Sequence, residues 1–336
     1  MISQKKQSLA IAVMLILLSV GWLWSVNAGY ANISYEKILK AVFGNSGEDE
    51  NLIILMFRLP RMTMAILVGI GFSLSGLILQ GLMRNDLADP GLMGINSGAG
   101  IVFLIFIVLG EAGKWTSAFV MPFLAFVGAG TAGIIIYILS REGLHGINPM
   151  KMILNGVAIQ AGINAVMVFA VLKLDESQYE MLTRWQTGSI WRANWQMVWI
   201  LVPWIVVGYV SIRYHARHMD VLALGEELAI GVGLPIRKVK RRLLIWAIAL
   251  AAASVSMSGS ISFVGLMAPH IAKRLFGVRH HVLIPACSII GAIIVLIADT
   301  VGRTIIMPSE LPAGIMVAII GAPYFLSLLL KRSKIR

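Results

Sequence analysis

Ten apolar stretches, each between 15 and 25 residues long and almost free of charge, are separated by more polar segments. A helix needs about 20 apolar residues to cross the hydrocarbon core of a bilayer. Backbone groups in lipid must be hydrogen-bonded internally, so stretches of this length favour helices. The sequence predicts an all-α, polytopic membrane protein with about ten transmembrane helices, at residues 9–28, 62–82, 91–109, 115–139, 152–172, 195–212, 243–257, 261–275, 282–301 and 311–330.

The overall composition excludes an ordinary soluble domain. Hydrophobic residues make up 58% of the 336 residues, and charged residues make up only 13%. A net charge of +12 is also found in nucleic-acid-binding proteins, but in a membrane protein it reflects Lys and Arg retained on the cytoplasmic side. We therefore predict contact with a membrane and no nucleic-acid partner. Cys287 is the only cysteine, so no intrachain disulfide can form.

The distribution of Lys and Arg sets the predicted topology. Residues 243–270 could form one long helix, but Ser258, Gly259 and Ser260 offer a turn that divides them. Fusing the two spans would also move the basic C-terminal residues to the outside, against the positive-inside rule. We expect ten spans with both termini in the cytoplasm, and a single transmembrane domain over residues 1–336.

The longest polar interruption on the predicted inner side is residues 213–242. Val221, Leu224 and Leu228 recur there with helical spacing and would share one face. A disordered basic loop would not carry such a face. The pattern predicts short helices outside the bilayer whose apolar face must be covered, either by the protein's own spans or by a soluble partner.

Capping residues divide this segment into two helices. Asp220 can cap the first, and Gly225 can end it or begin the second. Glu226 and Glu227 then fall in a first turn, where a carboxylate interacts favourably with the helix dipole.

Two arginines, Arg58 and Arg61, precede the second span at its predicted outer end. They are either interfacial anchors or a contact for acidic groups of another molecule. Arg303 follows Asp299 by four residues near the outer end of the ninth span, so these two side chains can pair.

The fifth span carries three amide side chains, Asn155, Gln160 and Asn164. Gln160 and Asn164 share a helical face. They either bond to neighbouring helices or line a pathway through the membrane.

Several kinds of chemistry have no candidate residues. No ionisable side chain lies near the middle of a span, although ion-coupled carriers need such groups. The chain lacks a glycine-rich P-loop motif, a metal-ligand spacing and a nucleophile–base constellation. We therefore predict no catalytic residues, no metal site, no cofactor and no enzymatic activity.

A set of motifs, in order along nearly the whole chain, resembles the permease subunits of ABC importers for iron–siderophores and cobalamin, the FecCD or BtuC-like family. One departure is Asp86, where the family usually has proline. The matching motifs are RLPR at 58–61, Ser75 and Gly76 with Gln80, NDLADPG at 85–91, LGEE at 224–227 through Gly233, GSISFVGL at 259–266 with Pro269, His270 and Arg274, Ala298 and Asp299 with Arg303, ELP at 310–312 with Gly314, and GAP at 321–323.

The resemblance implies a ten-helix subunit with two inverted halves in the bacterial plasma membrane. It would pair with a second copy or a paralogous permease. Two cytoplasmic ATPases would power it, and an external binding protein would deliver a ferric siderophore or, alternatively, cobalamin or haem. A secondary transporter without an ATPase is the competing interpretation.

The resemblance also implies roles for particular residues. Residues 213–242 would form the cytoplasmic coupling loop. Contacts to the ATPase would involve Val221, Leu224, Gly225, Glu226, Glu227 and Leu228. Docking of the binding protein would use Arg58, Arg61 and Arg303. The gate and pathway would include Asn148, Pro149, Asn155, Gln160 and Asn164.

Overall fold

The computed structural model describes residues 4–28, 52–109, 119–142, 146–307 and 309–333. These ranges contain thirteen α-helices: α1 (Gln4–Asn27), α2 (Leu59–Met83), α3 (Ile95–Leu109), α4 (Val120–Leu139), α5 (Pro149–Val171), α6 (Glu176–Gln186), α7 (Trp195–Tyr214), α8 (Ala216–Leu224), α9 (Glu226–Gly231), α10 (Ile236–Ser258), α11 (Val264–Phe276), α12 (His280–Ile305) and α13 (Ala313–Ser333). A π-helical segment, Leu52–Arg58, leads into α2, and a 3₁₀ turn, Gly91–Met93, precedes α3.

The helical, polytopic fold class predicted from the sequence is confirmed. In the described ranges, seven helical segments are long and apolar enough to cross a membrane: α1, α2 with its π-helical extension, α4, α5, α7, α10 and α12. Helices α3 and α13 are shorter apolar helices, and the 13-residue α11 covers the predicted eighth span. The start of the predicted fourth span, residues 115–118, lies outside the described residues.

The predicted break between the seventh and eighth spans is confirmed. Helix α10 ends at Ser258 and α11 begins at Val264. Gly259 has φ +67°, where a Cβ would lie 2.1 Å from the carbonyl oxygen of Trp185. Only glycine fits this turn, because a side chain would meet both strain and backbone.

Helix α2 lies at the centre of the bundle and is buried on nearly all sides against α10, α11 and α12. Its most extensive contact is with α12, where a Cβ added to Gly69 would lie 2.2 Å from the carbonyl oxygen of Gly291. Small residues permit such backbone contact, which drives helix association in lipid where the hydrophobic effect is absent.

The helix pairs repeat in a regular way. Helix α2 packs on α12, and α10 packs on α4; likewise α3 packs on α4, and α11 packs on α12. In terms of the predicted spans, the first two pairs join span 2 to span 9 and span 7 to span 4. The other two join span 3 to span 4 and span 8 to span 9. An inverted repeat that relates spans 2–5 to spans 7–10 produces this set of pairs.

The bundle has two ends, named here by their surface elements. The α6 end carries α6, which begins with a capping box between Asp175 and Gln178. The basic end carries α8, α9 and the Arg/Lys-rich start of α10. It also carries a small antiparallel hairpin, β1 (Arg141–Glu142) with β2 (Gly146–Ile147), which the sequence pattern did not predict.

Candidate coupling, docking and pathway surfaces

Helices α8 and α9 form at the basic end, as the helical spacing of residues 213–242 predicts. Leu224, Leu228, Ile230 and Val232 are 70, 62, 65 and 71% exposed, and together we call them the coupling surface. Val221 instead packs against the core. Gly225 joins the two helices at φ +133°, a conformation that residues with a Cβ rarely adopt. Because these apolar side chains lie beyond the membrane-spanning helices, they form a surface suited to a soluble partner.

Asp220 connects α8 to the core, and its predicted role as a cap of α8 is wrong. Helix α8 begins at Ala216, so Asp220 lies inside it. Its carboxylate accepts from the backbone amide of His280 at 2.8 Å and from Nδ1 of the same residue at 2.7 Å. Burial alone would raise the pKa of Asp220, but these bonds and the charges of His280 and Arg279 outweigh burial and lower it.

Two further contacts attach the short helices to the bundle. Glu226, in the first turn of α9 as predicted, binds the buried Nζ of Lys240 on α10 at 2.6 Å. Arg84, at the end of α2, donates to the carbonyl oxygen of Leu222 at 3.1 Å. Glu227 is exposed. Helices α8 and α9 are therefore linked to α2, α10 and α12.

A pair of histidines lies beside these links. The rings of His215 and His218 are 5.4 Å apart, and that of His215 also contacts Tyr214. Burial lowers the pKa of His218, and the charges of His215 and Arg242 lower it further. The lowered pKa favours the neutral form of the His218 ring.

At the opposite, α6 end, the structure brings Arg58, Arg61 and Arg303 together as an arginine cluster around Asp299. Arg61 donates to both carboxylate oxygens of the buried Asp299, at 2.8 to 3.1 Å, and to Glu310 at 2.8 Å. Arg303 lies 3.6 Å from Asp299, so the predicted pairing of these two residues exists. It is longer than the ion pair between Arg61 and Asp299.

The other bonds of this cluster go to the end of α1. Arg303 donates to the carbonyl oxygens of Ser25 at 2.7 Å and Ala28 at 3.0 Å, and Arg58 donates to that of Val26. Arg58 and Arg303 are buried. The cluster thus joins α1, α2 and α12, and among its acidic partners Glu310 is the exposed one.

Asn148 and Pro149 begin α5 at the basic end. The Asn148 side chain accepts from the amides of Met150 and Lys151 at 2.9 and 3.2 Å, which caps the helix. Its Nδ2 donates to Glu142 at 2.7 Å, and Lys151 binds the same carboxylate at 3.1 Å. The start of α5 is therefore fixed to the hairpin that precedes it.

Helix α5 presents a wide exposed face. Only 17% of its 18-residue apolar stretch is buried within the chain. Asn155 bonds Ser140 of the neighbouring segment at 3.1 Å, whereas Asn164 is exposed and makes only a long, 3.5 Å contact with Ser97. Gln160 is partly exposed. Amide groups are costly against lipid, so this face suits a water-filled pathway or a second subunit.

Sequence reasoning missed two polar contacts between helices or turns of the bundle. Lys273 of α11 donates to Gln80 and to Asp86, both at 2.8 Å. His270 meets Tyr324 of α13 at 2.6 Å. The unusual Asp86 was a signal for the first contact, because a carboxylate in a tight turn near the membrane needs a cation. Within the described ranges, no three His, Cys, Asp or Glu side chains cluster in a way that could hold a metal ion.

Comparisons with known proteins agree with this architecture. Residues 17–331 match the model of the FecCD transport family. The iron(3+)-hydroxamate import system permease protein FhuG of Bacillus subtilis (strain 168) is 40% identical over 330 residues, which cover 97% of this chain and 98% of FhuG. The Fe(3+)-citrate import system permease protein YfmE of the same bacterium is 39% identical over 326 residues, 97% of this chain and 96% of YfmE.

A solved structure of an inward-facing, metal-chelate type ABC transporter has the same fold, with a TM-score of 0.81 at 24% identity over 97% of this chain and 99% of the other. The family match extends from the first span to the last, so it includes both the coupling surface and the arginine cluster. The chain belongs to the FecCD transport family.

Proposed function

We propose that this chain is the membrane-spanning permease subunit of an ATP-binding-cassette importer that carries ferric siderophores across the bacterial plasma membrane. The observation that supports it most is the coupling surface. Its four exposed apolar side chains lie beyond the spans, three of them on helices bonded to the core and Val232 directly after α9. A separate ATPase supplies the chemistry, and this chain supplies the pathway.

The coupling surface fits the ATPase contact. Leu224 and Leu228 insert into an apolar cleft of the ATPase, and Glu227 pairs with basic residues at its edge. A movement of the ATPase is passed to α12 through the Asp220–His280 contact and to α10 through the Glu226–Lys240 contact. A carrier driven by an ion gradient would have no use for such a surface.

The translocation pathway runs along the exposed face of α5, between this chain and a second permease. Gln160 and Asn164 face the pathway. Asn148 and Pro149 form part of the gate at the basic end, where the hairpin fixes the start of α5. A bulky chelate needs a wide passage rather than a charged cage, in keeping with the apolar spans.

The basic end faces the cytoplasm, which places both termini inside and the α6 end outside. The distribution of Lys and Arg supports this orientation. The arginine cluster then lies on the outer side, where an external binding protein docks.

The ferric siderophore is favoured as cargo because the relatives import iron(3+)-hydroxamate and iron(3+)-citrate. Those two cargoes differ in size and charge, so the family alone does not fix the chelate. Cobalamin and haem are the alternative cargoes.

Uptake in a deletion strain tests the function. Cells lacking the gene, with and without the gene restored, are given labelled ferric hydroxamates, ferric citrate, haem and cobalamin. We expect uptake of one ferric chelate to depend on the gene and on ATP. Uptake that persists after ATP depletion, or purification without any ATPase, would contradict the proposal.

Orientation is tested by labelling. Ser177→Cys, at the exposed surface of α6, should react with an impermeant reagent in intact cells, and Arg217→Cys, exposed at the basic end, should not. Cys287 is fully buried, so it does not interfere. The opposite pattern would show an inverted topology.

A further inference from the structure

Two adjoining cavities open near the α6 end. The first, of about 810 Å³, lies under α6; the second, a groove of about 370 Å³, runs along α4, α7 and α10. Pro122, Ser256 and Met257 line both, so the groove continues into the cavity. None of the coupling, docking or gate residues described above lines either space.

The groove is apolar and lies within the membrane-spanning part. Phe123 and Phe126 line it from α4, and Phe119 lines it from just before that helix. Trp204 lines it from α7, and Ala253 lines it from α10. From residue 119 to residue 126 the groove follows α4 for about 10 Å, at the helical rise of 1.5 Å per residue. An empty groove would deprive its lining of dispersion contacts. Because it opens on helices that face the bilayer, an acyl chain is the occupant with matching chemistry.

The cavity above the groove carries positive charge. The guanidinium groups of Arg184 and Arg192 lie 5.6 and 4.6 Å from the centroid of the Trp191 ring. Arg184 is neutralised by Glu180 at 2.6 Å. Across the part of the chain that the structure describes, no carboxylate pairs with Arg192, so it leaves a net positive charge at the mouth of the cavity.

One residue of the cavity wall, Trp185, has a buried donor that lacks an acceptor in the described ranges. Trp185 lines the cavity, is 8% exposed and stacks on Phe103 with ring centroids 4.9 Å apart. Its Nε1 is buried and has no hydrogen-bond partner among the described residues. An unsatisfied donor in the wall favours a polar occupant of the cavity over an apolar one.

We propose that this site binds an anionic phospholipid of the leaflet at the α6 end. One acyl chain fills the groove beside Phe123 and Trp204, and the headgroup enters the cavity. The phosphate accepts from Arg192, whose planar guanidinium can donate two parallel hydrogen bonds. Trp191 and Trp185 lie at the level where tryptophan is enriched in membrane proteins.

Lipid binding by the intact purified assembly in detergent tests the proposal. Phosphatidylglycerol and phosphatidylcholine with identical acyl chains are titrated, and bound lipid is counted by native mass spectrometry. We expect phosphatidylglycerol to bind about fivefold more tightly, the effect of one cationic side chain near a lipid phosphate. Arg192→Gln should abolish this preference, and Lys173→Gln, an exposed charge near α6 that does not line the cavity, should leave it intact.

A second variant tests the groove. Val120→Trp places a large ring at the groove and should weaken binding of both lipids, whereas Val210→Trp, on the exposed face of α7 away from the groove, should not. Equal binding of the two lipids, or loss of preference in Lys173→Gln as well, would overturn the proposal. Displacement of phosphatidylglycerol by millimolar glycerol phosphate or inorganic phosphate would also overturn it, since it would show a site for free anions.

Discussion

Asp220 of α8 accepts hydrogen bonds from both the backbone amide and the imidazole Nδ1 of His280, the first residue of α12. The first amides of a helix have no partner within the helix, and a side-chain oxygen usually supplies one from the preceding residue. Here the oxygen comes from a different helix, 60 residues earlier in the sequence. The contact therefore makes α8, which ends in the coupling surface, part of the same packed unit as α12.

Removing this carboxylate should loosen α8. Asp220→Ala leaves the His280 amide without its cap, and we expect the free energy of unfolding to fall by about 1 kcal/mol, because the site is partly exposed to solvent. Thermal unfolding of the purified protein in detergent measures the change. Glu227→Ala, which removes an exposed carboxylate from the neighbouring helix, should have little effect. An equal loss in both variants would show that Asp220 contributes only general charge.

The same contact predicts that the stability of the fold decreases at acidic pH. The pKa of Asp220 is lowered in the folded protein, so the carboxylate stabilises the fold at every pH above its unfolded value of about 3.9. This contribution is lost as the pH falls below 3.9 and through the lowered, native pKa. Unfolding midpoints measured from pH 7 to pH 2.5 should fall more steeply for the wild type than for Asp220→Asn. Parallel curves would contradict the assignment.

A charge in the coupling surface should uncouple transport. Leu228→Asp removes about 2 kcal/mol of apolar burial against the ATPase and places an unpaired carboxylate in the contact. We expect uptake to be lost and ATP hydrolysis no longer to respond to substrate, while the protein remains in the membrane. Leu228→Met, which keeps an apolar side chain of similar volume, should retain both activities. Normal uptake by well-expressed Leu228→Asp would contradict the proposed ATPase contact.

The sequence predicted those features that depend on interactions between residues close together in the chain. Uncharged length predicted the spans, and Gly225 followed by Glu226 and Glu227 predicted where the second short helix begins, because both depend on neighbours along the chain. The single face predicted for Val221, Leu224 and Leu228 is wrong, because Leu224 ends α8, Leu228 lies in α9 and Val221 packs against the core. Partners distant in sequence were not predictable. Asp220 was interpreted as a cap of its own helix, since nothing local indicates His280 as its partner.

The arginine cluster shows the same limit. Arg61 and Asp299 are 238 residues apart, and only the packing of α2 on α12 brings them together. From the sequence, Asp299 has one visible partner, Arg303, four residues away. In the structure the closer partner is Arg61, because α12 presents the carboxylate towards α2 rather than along its own axis.

Gly98 should be intolerant of a side chain. It lies where α3 crosses α4, and a Cβ there would approach Ala132 Cβ to 2.4 Å and the carbonyl oxygen of Gly128 to 2.6 Å. Gly98→Ala must push the helices apart, at a cost of about 1–3 kcal/mol in stability. Gly130→Ala is the matched control, since nothing lies within 4 Å of its added Cβ. Thermal unfolding of the two variants in detergent compares them, and equal midpoints would show that the crossing can relax without cost.

The last prediction concerns docking of the external binding protein at the arginine cluster. Arg61 already has two acidic partners, the buried Asp299 and the exposed Glu310. A carboxylate of the binding protein must therefore replace Glu310, the accessible one of the two. Glu310→Gln removes this competitor without burying a charge, so it should raise the affinity of the binding protein.

A charge change at this cluster should alter affinity by about fivefold, corresponding to about 1 kcal/mol for a partly exposed pair. Arg61→Glu should lower affinity and flatten its dependence on salt, because salt weakens the attraction in the wild type and screens the repulsion in the variant. Arg58→Glu and Arg303→Glu should act in the same direction. Lys173→Glu reverses an exposed charge at the same end and serves as the control. Affinity is measured on the reconstituted importer at low and moderate salt, together with the unfolding midpoint of each variant. If Arg61→Glu lowers the midpoint but leaves the affinity of the folded fraction unchanged, and Glu310→Gln has no effect, the cluster only joins α1, α2 and α12 and the binding protein docks elsewhere.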